Sequence, residues 1–226
     1  MRKYFQFLLI FNLLVFAAQA QRRDTRSLSP FSAVSVGEAI NVEITAGDIE
    51  EARIEVDGAD VDDVITEVFG GRLKIQMDRG NWRNADVRVY LTYKSIDKIE
   101  VSSAADLYST GVVSADQLEI EVSSAGDVEL DIDVNELEVR VSSAGDLTLK
   151  GKAKEQYVRV SSSGDYDAYE LQSENAEVDV SSSGDARVNV SEKLEADASS
   201  SGSIYYRGEP SKVYADSSSG GRVRKS

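Results

Sequence analysis

The sequence contains no histidine and no cysteine, and it has only 2 prolines among its 226 residues. Without histidine or cysteine, a chain cannot form a Ser–His–Asp triad, a Cys–His pair or the commonest zinc sites. It also cannot form disulfide bonds or carry a lipid on an N-terminal cysteine. Cleavage of polysaccharides by carboxylates, lysine or arginine stays open, because acid–base cleavage of sugars needs only a suitably spaced pair.

The first 20 residues have the pattern of a secretory signal peptide. Arg2 and Lys3 precede an apolar stretch from Phe5 to Ala18, and the segment ends in Ala-Gln-Ala. The apolar stretch is shorter than the roughly 20 residues that a bilayer-spanning helix requires. We therefore expect cleavage after Ala20, no membrane span in the mature chain, and export to the periplasm, the outer-membrane surface or the extracellular space.

The chain is strongly acidic. Its formal charge is −15, and loss of Arg2 and Lys3 with the signal peptide makes it −17. Such a charge repels phosphate backbones and argues against nucleic-acid binding. The acidic residues alternate with valine, isoleucine and leucine instead of forming blocks, so the sequence predicts strands and not a disordered chain.

A serine-rich pentapeptide returns about every nineteen residues through the C-terminal half. It reads SSAAD, SSAGD, SSSGD, SSSGS or SSSGG, and its copies begin at Ser102, Ser123, Ser142, Ser161, Ser181, Ser199 and Ser217. A fixed period of this length, with short alternating apolar segments between the copies, is typical of a solenoid. The sequence therefore predicts an all-β protein, a single-stranded parallel β-helix with about 19 residues per coil and seven coils.

The serines of the motif differ in their predicted orientation. Because side chains alternate between the two faces of a strand, the second serine has the parity of the apolar residues before it. We expect the second serines to be buried in a stack of hydrogen-bonded hydroxyls and the first serines to point outward. The second serines include Ser124, Ser143, Ser162 and Ser182, and the first serines include Ser123, Ser142, Ser161 and Ser181. In the last coil, the same alignment places Asp216 in the slot of an inward Val or Ala.

The glycine and aspartate that follow the serines predict a corner, with positive φ at the glycine. The glycines are Gly126, Gly145, Gly164, Gly184 and Gly202. The aspartates would form a column, Asp106, Asp127, Asp146, Asp165 and Asp185, which is a weak candidate for a Ca²⁺ site. Calcium takes six to eight oxygen ligands, whereas each coil supplies one carboxylate. We therefore interpret these aspartates as solvated turn residues and expect no metal and no cofactor.

The N-terminal part of the mature chain is rich in alternating segments but lacks the serine motif. Gly70-Gly71 predicts a hairpin turn, and the sequence allows a short helix from Asp60 to Thr66. These segments would form the first coils or a β cap over the open end of the solenoid. The predicted organisation is signal peptide 1–20, linker 21–30, β-rich part 31–98, repeat solenoid 99–221 and basic tail 222–226.

Several of these segments together resemble a Bacteroidetes family of exported auto-transporter adhesins with a head GIN domain. The Gly-Ile-Asn motif of that family is present in altered form as Gly37-Glu38-Ala39-Ile40-Asn41. Similar segments are Gly70 to Ile75, Val87 to Tyr93 and the serine-glycine-aspartate coils, so the likeness spans about Phe31 to Gly221. The resemblance implies a β-solenoid at the surface or in the envelope. It transfers no catalytic residue.

Tyrosines in the last coils are the candidate ligand-binding residues, because an aromatic ring stacks on sugars and packs in protein interfaces. The candidates with outward parity or a place near the open end are Tyr157, Tyr169 and Tyr205. Tyr166 and Tyr206 have inward parity, and Trp82 is interpreted as a structural loop residue covering the cap.

The sequence favours a non-enzymatic exported adhesin that presents a rigid acidic surface to a glycan or an envelope protein. No catalytic residue stands out among the many acids on the outward strand positions. A carbohydrate-active β-helix enzyme, either a lyase or a hydrolase, and a purely structural envelope protein are the alternatives. The oligomeric state does not follow from the sequence.

Overall fold

The computed structural model describes residues 22–80, 82 and 84–226, so the predicted signal peptide lies outside the described residues. The described chain is all-β and has one short 3₁₀ helix, Val61–Asp63. The strands are β1 Arg22–Ser27, β2 Ala33–Val36, β3 Asn41–Ala46, β4 Glu51–Asp57, β5 Val64–Phe69, β6 Arg72–Met77, β7 Asp86–Tyr93, β8 Lys98–Val101, β9 Asp106–Val122, β10 Asp127–Val141, β11 Asp146–Val160, β12 Asp165–Val180, β13 Asp185–Ala198, β14 Ser203–Arg207, β15 Lys212–Ser217 and β16 Arg222–Lys225. In this part of the chain, no helix is both long and apolar enough to span a bilayer.

Strands β9 to β13 stack in parallel, and each of them runs around one coil. In β10 and β11, Asp127 lies opposite Asp146 and Val141 lies opposite Val160, so the neighbouring coils are 19 residues apart. The prediction of a parallel β-helix is confirmed. We call the part of a coil that follows the serine corner the first segment (127–134 in β10), and the part after the second corner the second segment (136–141).

The core consists of inward residues that stack on their counterparts in the next coil. Buried and exposed side chains alternate along each segment of β10. The alternation breaks at the second corner, where Asn135 and Glu136 are both exposed. The inward residues of this coil are Val128, Leu130, Ile132, Val134, Leu137, Val139 and Val141, none more than 4% exposed. Full burial of one such side chain stabilises a fold by roughly 1.5–3 kcal/mol. Repetition of these residues from coil to coil therefore supplies the main stabilising contribution.

The serine corner is a tight turn, and its geometry contradicts the predicted hydroxyl stack. Ser124 and Ala125 have φ values of 53° and 59°, and the Gly126 N–H donates to the Ser123 carbonyl at 3.0 Å. Two successive residues with positive φ are characteristic of a type I′ turn. The prediction that the second serines are buried is wrong, because these residues are exposed and the first serines are half-buried. The exposed set includes Ser124, Ser143, Ser162 and Ser182, and the half-buried set includes Ser123, Ser142, Ser161 and Ser181.

The register error has a simple physical cause. The alternation of inward and outward side chains ends at the valine before the motif, because the turn changes the direction of the chain. The backbone makes the coil-to-coil bonds at the corner: the Ala125 N–H donates to the Ser143 carbonyl at 3.2 Å, and the Asp127 N–H donates to the Ala105 carbonyl at 3.0 Å.

The corner glycines are required for space and not for positive φ. The left-handed conformations belong to the two residues before each glycine. A Cβ atom on Gly145 would lie 3.0 Å from the carbonyl carbon and oxygen of Val122 in the preceding coil. The prediction of positive φ is therefore wrong for the whole set, Gly126, Gly145, Gly164, Gly184 and Gly202.

The last coil is displaced by one residue from its predicted alignment. Asp216 lies opposite Asp197 in an outward column, and Ser217 lies opposite Ala198 in the inward slot. The turn residues with positive φ are Ser219 and Gly220. The expectation that Asp216 occupies an inward slot is wrong, because the run Ser-Ser-Ser-Gly-Gly fits the motif in two registers.

The altered Gly-Ile-Asn motif forms a corner of the same kind without serine. Glu38 and Ala39 have φ values of 62° and 55°, and the Ala39 N–H donates to the Ser103 carbonyl at 3.0 Å. Asn41 then lies opposite Asp106 at the start of the aspartate column. The motif therefore connects β2 to β3 as the serine corners connect later segments.

The N-terminal part contains both solenoid strands and an antiparallel cap. Strands β6 and β7 stack in parallel on β2 and β3, on the side away from β8 and β9. Strand β4 pairs antiparallel with β7, β1 with β4, and β5 with β6. The expected cap and first coils are both present. Strand β1 lies within the segment that we predicted as a linker, and β16 lies within the predicted basic tail.

Arg26 connects the two outermost strands of the cap. Its guanidinium donates to the Val64 carbonyl at 2.5 Å, to the Val61 carbonyl at 2.7 Å and to the Thr66 hydroxyl at 2.9 Å. Asp24 accepts from Arg26 Nε at 2.8 Å. This side chain therefore satisfies carbonyl groups at the closed end of the solenoid.

Three smaller predictions concern the N-terminal part of the chain. Gly70 and Gly71 form the predicted hairpin turn between β5 and β6, with φ values of 58° and 78°. The 3₁₀ helix is shorter than the helix allowed at 60–66, and Asp60 caps its N-terminus. Trp82 is half-buried against the core, and its Nε1 donates to the Asp78 carbonyl at 2.7 Å.

Replacement of Gly145 by alanine tests the spatial role of the corner glycine. The added methyl would contact the Val122 backbone, and overpacking of this kind costs about 2 kcal/mol. We expect a clear loss of thermal stability in circular dichroism. Gly111→Ala is the control, since nothing lies within 4 Å of its Cβ position, and a change within about 0.5 kcal/mol is expected. Equal stability of the two variants would contradict the assignment.

Candidate binding surface

A column of glutamates interrupted by one tyrosine runs along the outer face of the second segments. Register pairs Glu138 with Tyr157 and Tyr157 with Glu177. The column continues to Glu119 on one side and Glu195 on the other. Tyr157 is 41% exposed. The rigid strands thus hold one aromatic ring between carboxylates.

Positive side chains from this column and from the neighbouring column divide the acidic face. Arg140 Nη1 donates to Glu119 at 2.6 Å and to Glu121 at 3.1 Å, and its Nη2 contacts Glu138. Lys98 Nζ lies 3.2 Å from Glu119. Burial alone raises the pKa of Glu119, but the bonds from Lys98 and Arg140 outweigh it and hold this pKa below its ordinary value. The acids on this side of Tyr157 are therefore paired.

A shallow depression of about 260 Å³ surrounds Tyr157. Arg159 lines it, is 71% exposed in its side chain, and places Nε 3.7 Å from Asp179 Oδ2. Glu138 and Glu177 complete the rim. We call these five residues the Tyr157 surface. Arg159 and the neighbouring Arg140 were visible in the sequence at a 19-residue spacing, but their pairing with particular acids required the register.

The other two candidate tyrosines lie elsewhere on the solenoid. Tyr169 belongs to the first segment of β12, where the Arg207 guanidinium lies 3.9 Å from its ring centroid and its hydroxyl contacts Ser226 Oγ at 2.7 Å. Tyr205 is in β14, opposite Arg187 and next to the last coil. Both side chains are half-buried. The structure therefore does not bring Tyr169 or Tyr205 to the Tyr157 surface.

Tyr166 is a core residue, in agreement with its inward parity. Its hydroxyl donates to Gln156 Oε1 at 3.1 Å, Gln156 Nε2 contacts Ser173, and Ser173 Oγ donates to the Asn189 carbonyl at 2.9 Å. Burial raises the pKa of Tyr166. Tyr206 is half-buried against the core. The hydrogen-bonded chain lets a polar tip occupy the interior without an unsatisfied group.

A larger depression of about 520 Å³ follows the second corners of several coils. Its charged and amide groups include Asn135, Lys152, Lys154, Gln172 and Glu174. It has both signs of charge and no tyrosine in its lining. It is a second concave region of the solenoid, separate from the Tyr157 surface.

The predicted aspartate column is formed in register. The paired members are Asp106, Asp127, Asp146, Asp165 and Asp185. Burial raises the pKa of Asp127, and the charges of Asp106 and Asp146 raise it further. Burial also raises the pKa of Asp165, against the effect of Arg187 at 2.8 Å. Within the residues that the structure describes, no three acidic side chains are grouped as ligands for a metal ion.

Replacement of Asp127 by asparagine tests the repulsion within the column. The folded-state pKa of Asp127 is raised, so its ionisation costs stability as pH rises through the range above its ordinary value of 3.8. At about 4.8 Å, two such charges repel by about 0.9 kcal/mol in water. We expect Asp127→Asn to raise the melting temperature by about 2–4 °C at pH 7, with a smaller gain near pH 4.

Asp48→Asn is the matched control for Asp127→Asn, because Asp48 lies in an exposed loop outside the column. It should leave the melting temperature unchanged at both pH values. A destabilised Asp127→Asn protein at pH 7 would contradict the repulsion.

Removal of divalent cations tests whether the aspartates hold a structural cation. We expect millimolar EDTA and added calcium to leave the melting temperature unchanged, because the column supplies too few ligands from each coil. A substantial decrease with EDTA that calcium reverses would establish a structural cation site.

Comparison with known proteins agrees with the repeat, the altered Gly-Ile-Asn corner and the solenoid geometry. Residues 30–210 match the family described as putative auto-transporter adhesin, head GIN domain. The chain belongs to this family. No curated protein matches the sequence.

Solved structures of similar proteins show the same fold. A putative adhesin from Bacteroides fragilis NCTC 9343 has 20% sequence identity and a TM-score of 0.83, with 92% of this chain and 98% of that chain covered. A putative adhesin from Parabacteroides distasonis ATCC 8503 has 21% identity and a TM-score of 0.72, with 92% and 98% covered. A putative lipid binding protein from that organism has 20% identity and a TM-score of 0.67, with 90% and 96% covered.

Proposed function

We propose that this adhesin-family protein is exported and binds a cell-surface glycan or an envelope protein through the Tyr157 surface, without catalysing a reaction. The observation that carries the proposal is the 41% exposed Tyr157 ring, held by register between Glu138 and Glu177 on a rigid strand face.

The chemistry of the Tyr157 surface suits a polyhydroxylated or amphipathic ligand. An aromatic ring offers apolar area to the C–H face of a sugar, and its hydroxyl supplies a hydrogen bond. Glu138, Glu177 and Asp179 offer acceptors, and Arg159 offers donors within the same depression. Because continuous β-ladders hold the backbone of these residues, little backbone entropy would be lost on binding.

The absence of catalysis is proposed from the residue types present. Histidine and cysteine are missing from the whole sequence, and Arg140 pairs with Glu119 and with Glu138 of the Tyr157 surface. Paired, ionised carboxylates are poor general acids at neutral pH. A polysaccharide lyase or hydrolase and a purely structural envelope protein are the competing functions.

Alanine substitution at the predicted tyrosines tests the binding role. We expect Tyr157→Ala to weaken binding of the mature chain to glycan arrays or whole cells by about tenfold, because it removes the stacking ring and leaves the core intact. The triple variant Tyr157→Ala, Tyr169→Ala and Tyr205→Ala should show a similar loss if Tyr157 dominates.

Tyr108→Ala is the matched control, because Tyr108 is 43% exposed but lies on the first segment of β9. It should bind as the unmodified chain does. Unchanged binding by the triple variant would contradict the proposal and direct attention to the 520 Å³ depression at the second corners. Release of sugars by the purified protein would show an enzyme, and no binding to cells or glycans would favour the structural role.

A further inference from the structure

The last two strands each have one edge without a strand partner in the described chain. The N–H groups of Arg222 and Ser226 in the last coil donate to carbonyls of the preceding coil, each at 2.9 Å. Backbone groups of successive residues in a strand point to opposite sides. The N–H and C=O groups of Val223 and Lys225 therefore point away from the solenoid, along its axis.

The same geometry holds at β15. The Ser218 N–H donates to the Ala198 carbonyl at 2.9 Å, so the backbone groups of Val213, Ala215 and Ser217 point to the free edge. All six residues of β15 are exposed. The C-terminal end thus presents two rows of hydrogen-bonding groups.

Apolar side chains accompany this free edge. Val213 is 42% exposed and lies opposite Leu194, which is fully buried. Tyr214 is 59% exposed. A single coil therefore covers the core at this end, whereas antiparallel strands β1, β4 and β5 extend beyond the coils at the other end.

The charge of the C-terminal end is opposite to that of the whole chain. Residues 212–226 contain four basic side chains, Lys212, Arg222, Arg224 and Lys225, and one acidic side chain, Asp216. Lys225 Nζ is paired with Glu209 Oε2 at 2.8 Å. The whole chain has a formal charge of −15. In the aspartate column, Asp185 is followed by Ser203 and then by Arg222. The sign of the outward charge thus reverses at the last coil.

We propose that strands β15 and β16 bind an extended acidic segment of a partner protein by strand addition. The unpaired backbone rows supply hydrogen bonds, the apolar residues of the last coil contact alternate side chains, and Lys212, Arg222 and Arg224 attract carboxylates. A second copy that meets this end with its own C-terminal end would bring the same three cations against them. Charge therefore favours an acidic segment over self-association of this end.

A peptide from the repeat itself is a suitable probe. The sequence GDVELDIDV of residues 126–134 alternates acidic and apolar residues and pairs in parallel with both neighbouring coils in the fold. Fluorescence anisotropy would measure binding of the labelled peptide to the mature chain at low salt. We expect saturable binding that is at least tenfold weaker for a peptide N-methylated at alternate residues. A neutral version with asparagine and glutamine should also bind at least tenfold more weakly.

Charge reversal locates the site. The double variant Arg222→Glu and Arg224→Glu should lose at least tenfold in affinity for the peptide. The control variant Lys152→Glu and Lys154→Glu changes the same number of charges at the second corner and should bind as the unmodified chain does. Circular dichroism melts would verify that both variants are folded.

Four results would overturn the proposal. Equal affinity for the N-methylated peptide would exclude strand addition, and equal affinity of the Arg222→Glu and Arg224→Glu variant would exclude this end of the molecule. Binding to phosphatidylglycerol vesicles that displaces the peptide would assign the cations to an anionic membrane. No binding of the acidic peptide would mean that the cations only keep copies of the chain apart.

Discussion

In-register stacking of successive coils is the constraint on which the rest of this structure depends. Outside a few register shifts, each residue of β9 to β13 lies above its counterpart in the next coil, so each position has to tolerate a neighbour of its own kind. Valine and leucine satisfy this condition in the core because apolar side chains of equal size pack closely. The serine corners satisfy it with backbone groups, since each turn donates an N–H to a carbonyl of the next turn.

Charged positions cannot repeat in this way without cost. The second-segment face relieves the repulsion with cations, as at Arg140 beside Glu119 and Glu138. In the aspartate column, burial raises the pKa of Asp127, and the charges of Asp106 and Asp146 raise it further. Arg187 provides partial compensation further along, beside Asp165. The solenoid therefore has one neutralised face and one face where like charges remain close.

The fold was predictable from the sequence because the repeat period, the alternating segments and the corner composition all indicate the same architecture. The corner geometry was not predictable from strand parity, since two residues with positive φ interrupt the alternation at Ser124 and Ala125. The corner formed by the altered motif at Gly37 was also not predictable. It has the same conformation as the serine corners but shares none of their serines. Different sequences form the same corner conformation in this chain, whereas the stacking of the coils follows one repeated pattern.

Outward parity identified Tyr157 and its column of glutamates, because parity and period together determine which residues share a face. They did not place Tyr169, which lies within an irregularity of the register between β11 and β12 and has the Arg207 guanidinium over its ring. A single inserted residue changes which face a side chain occupies.

The ends of the solenoid follow from the same stacking rule. The outermost coil of a solenoid has one edge without a partner, and a further coil of the same kind could pair with that edge. A finite solenoid therefore has to interrupt the repeat at its ends. At the N-terminal end the direction of pairing changes, and Arg26 binds the carbonyls of Val61 and Val64. At the C-terminal end the direction is retained and the outward charge changes sign at Arg222. The two ends are therefore not equivalent: the N-terminal end finishes in antiparallel strands that Arg26 connects, whereas the C-terminal end finishes in parallel strands with an outward charge of the opposite sign.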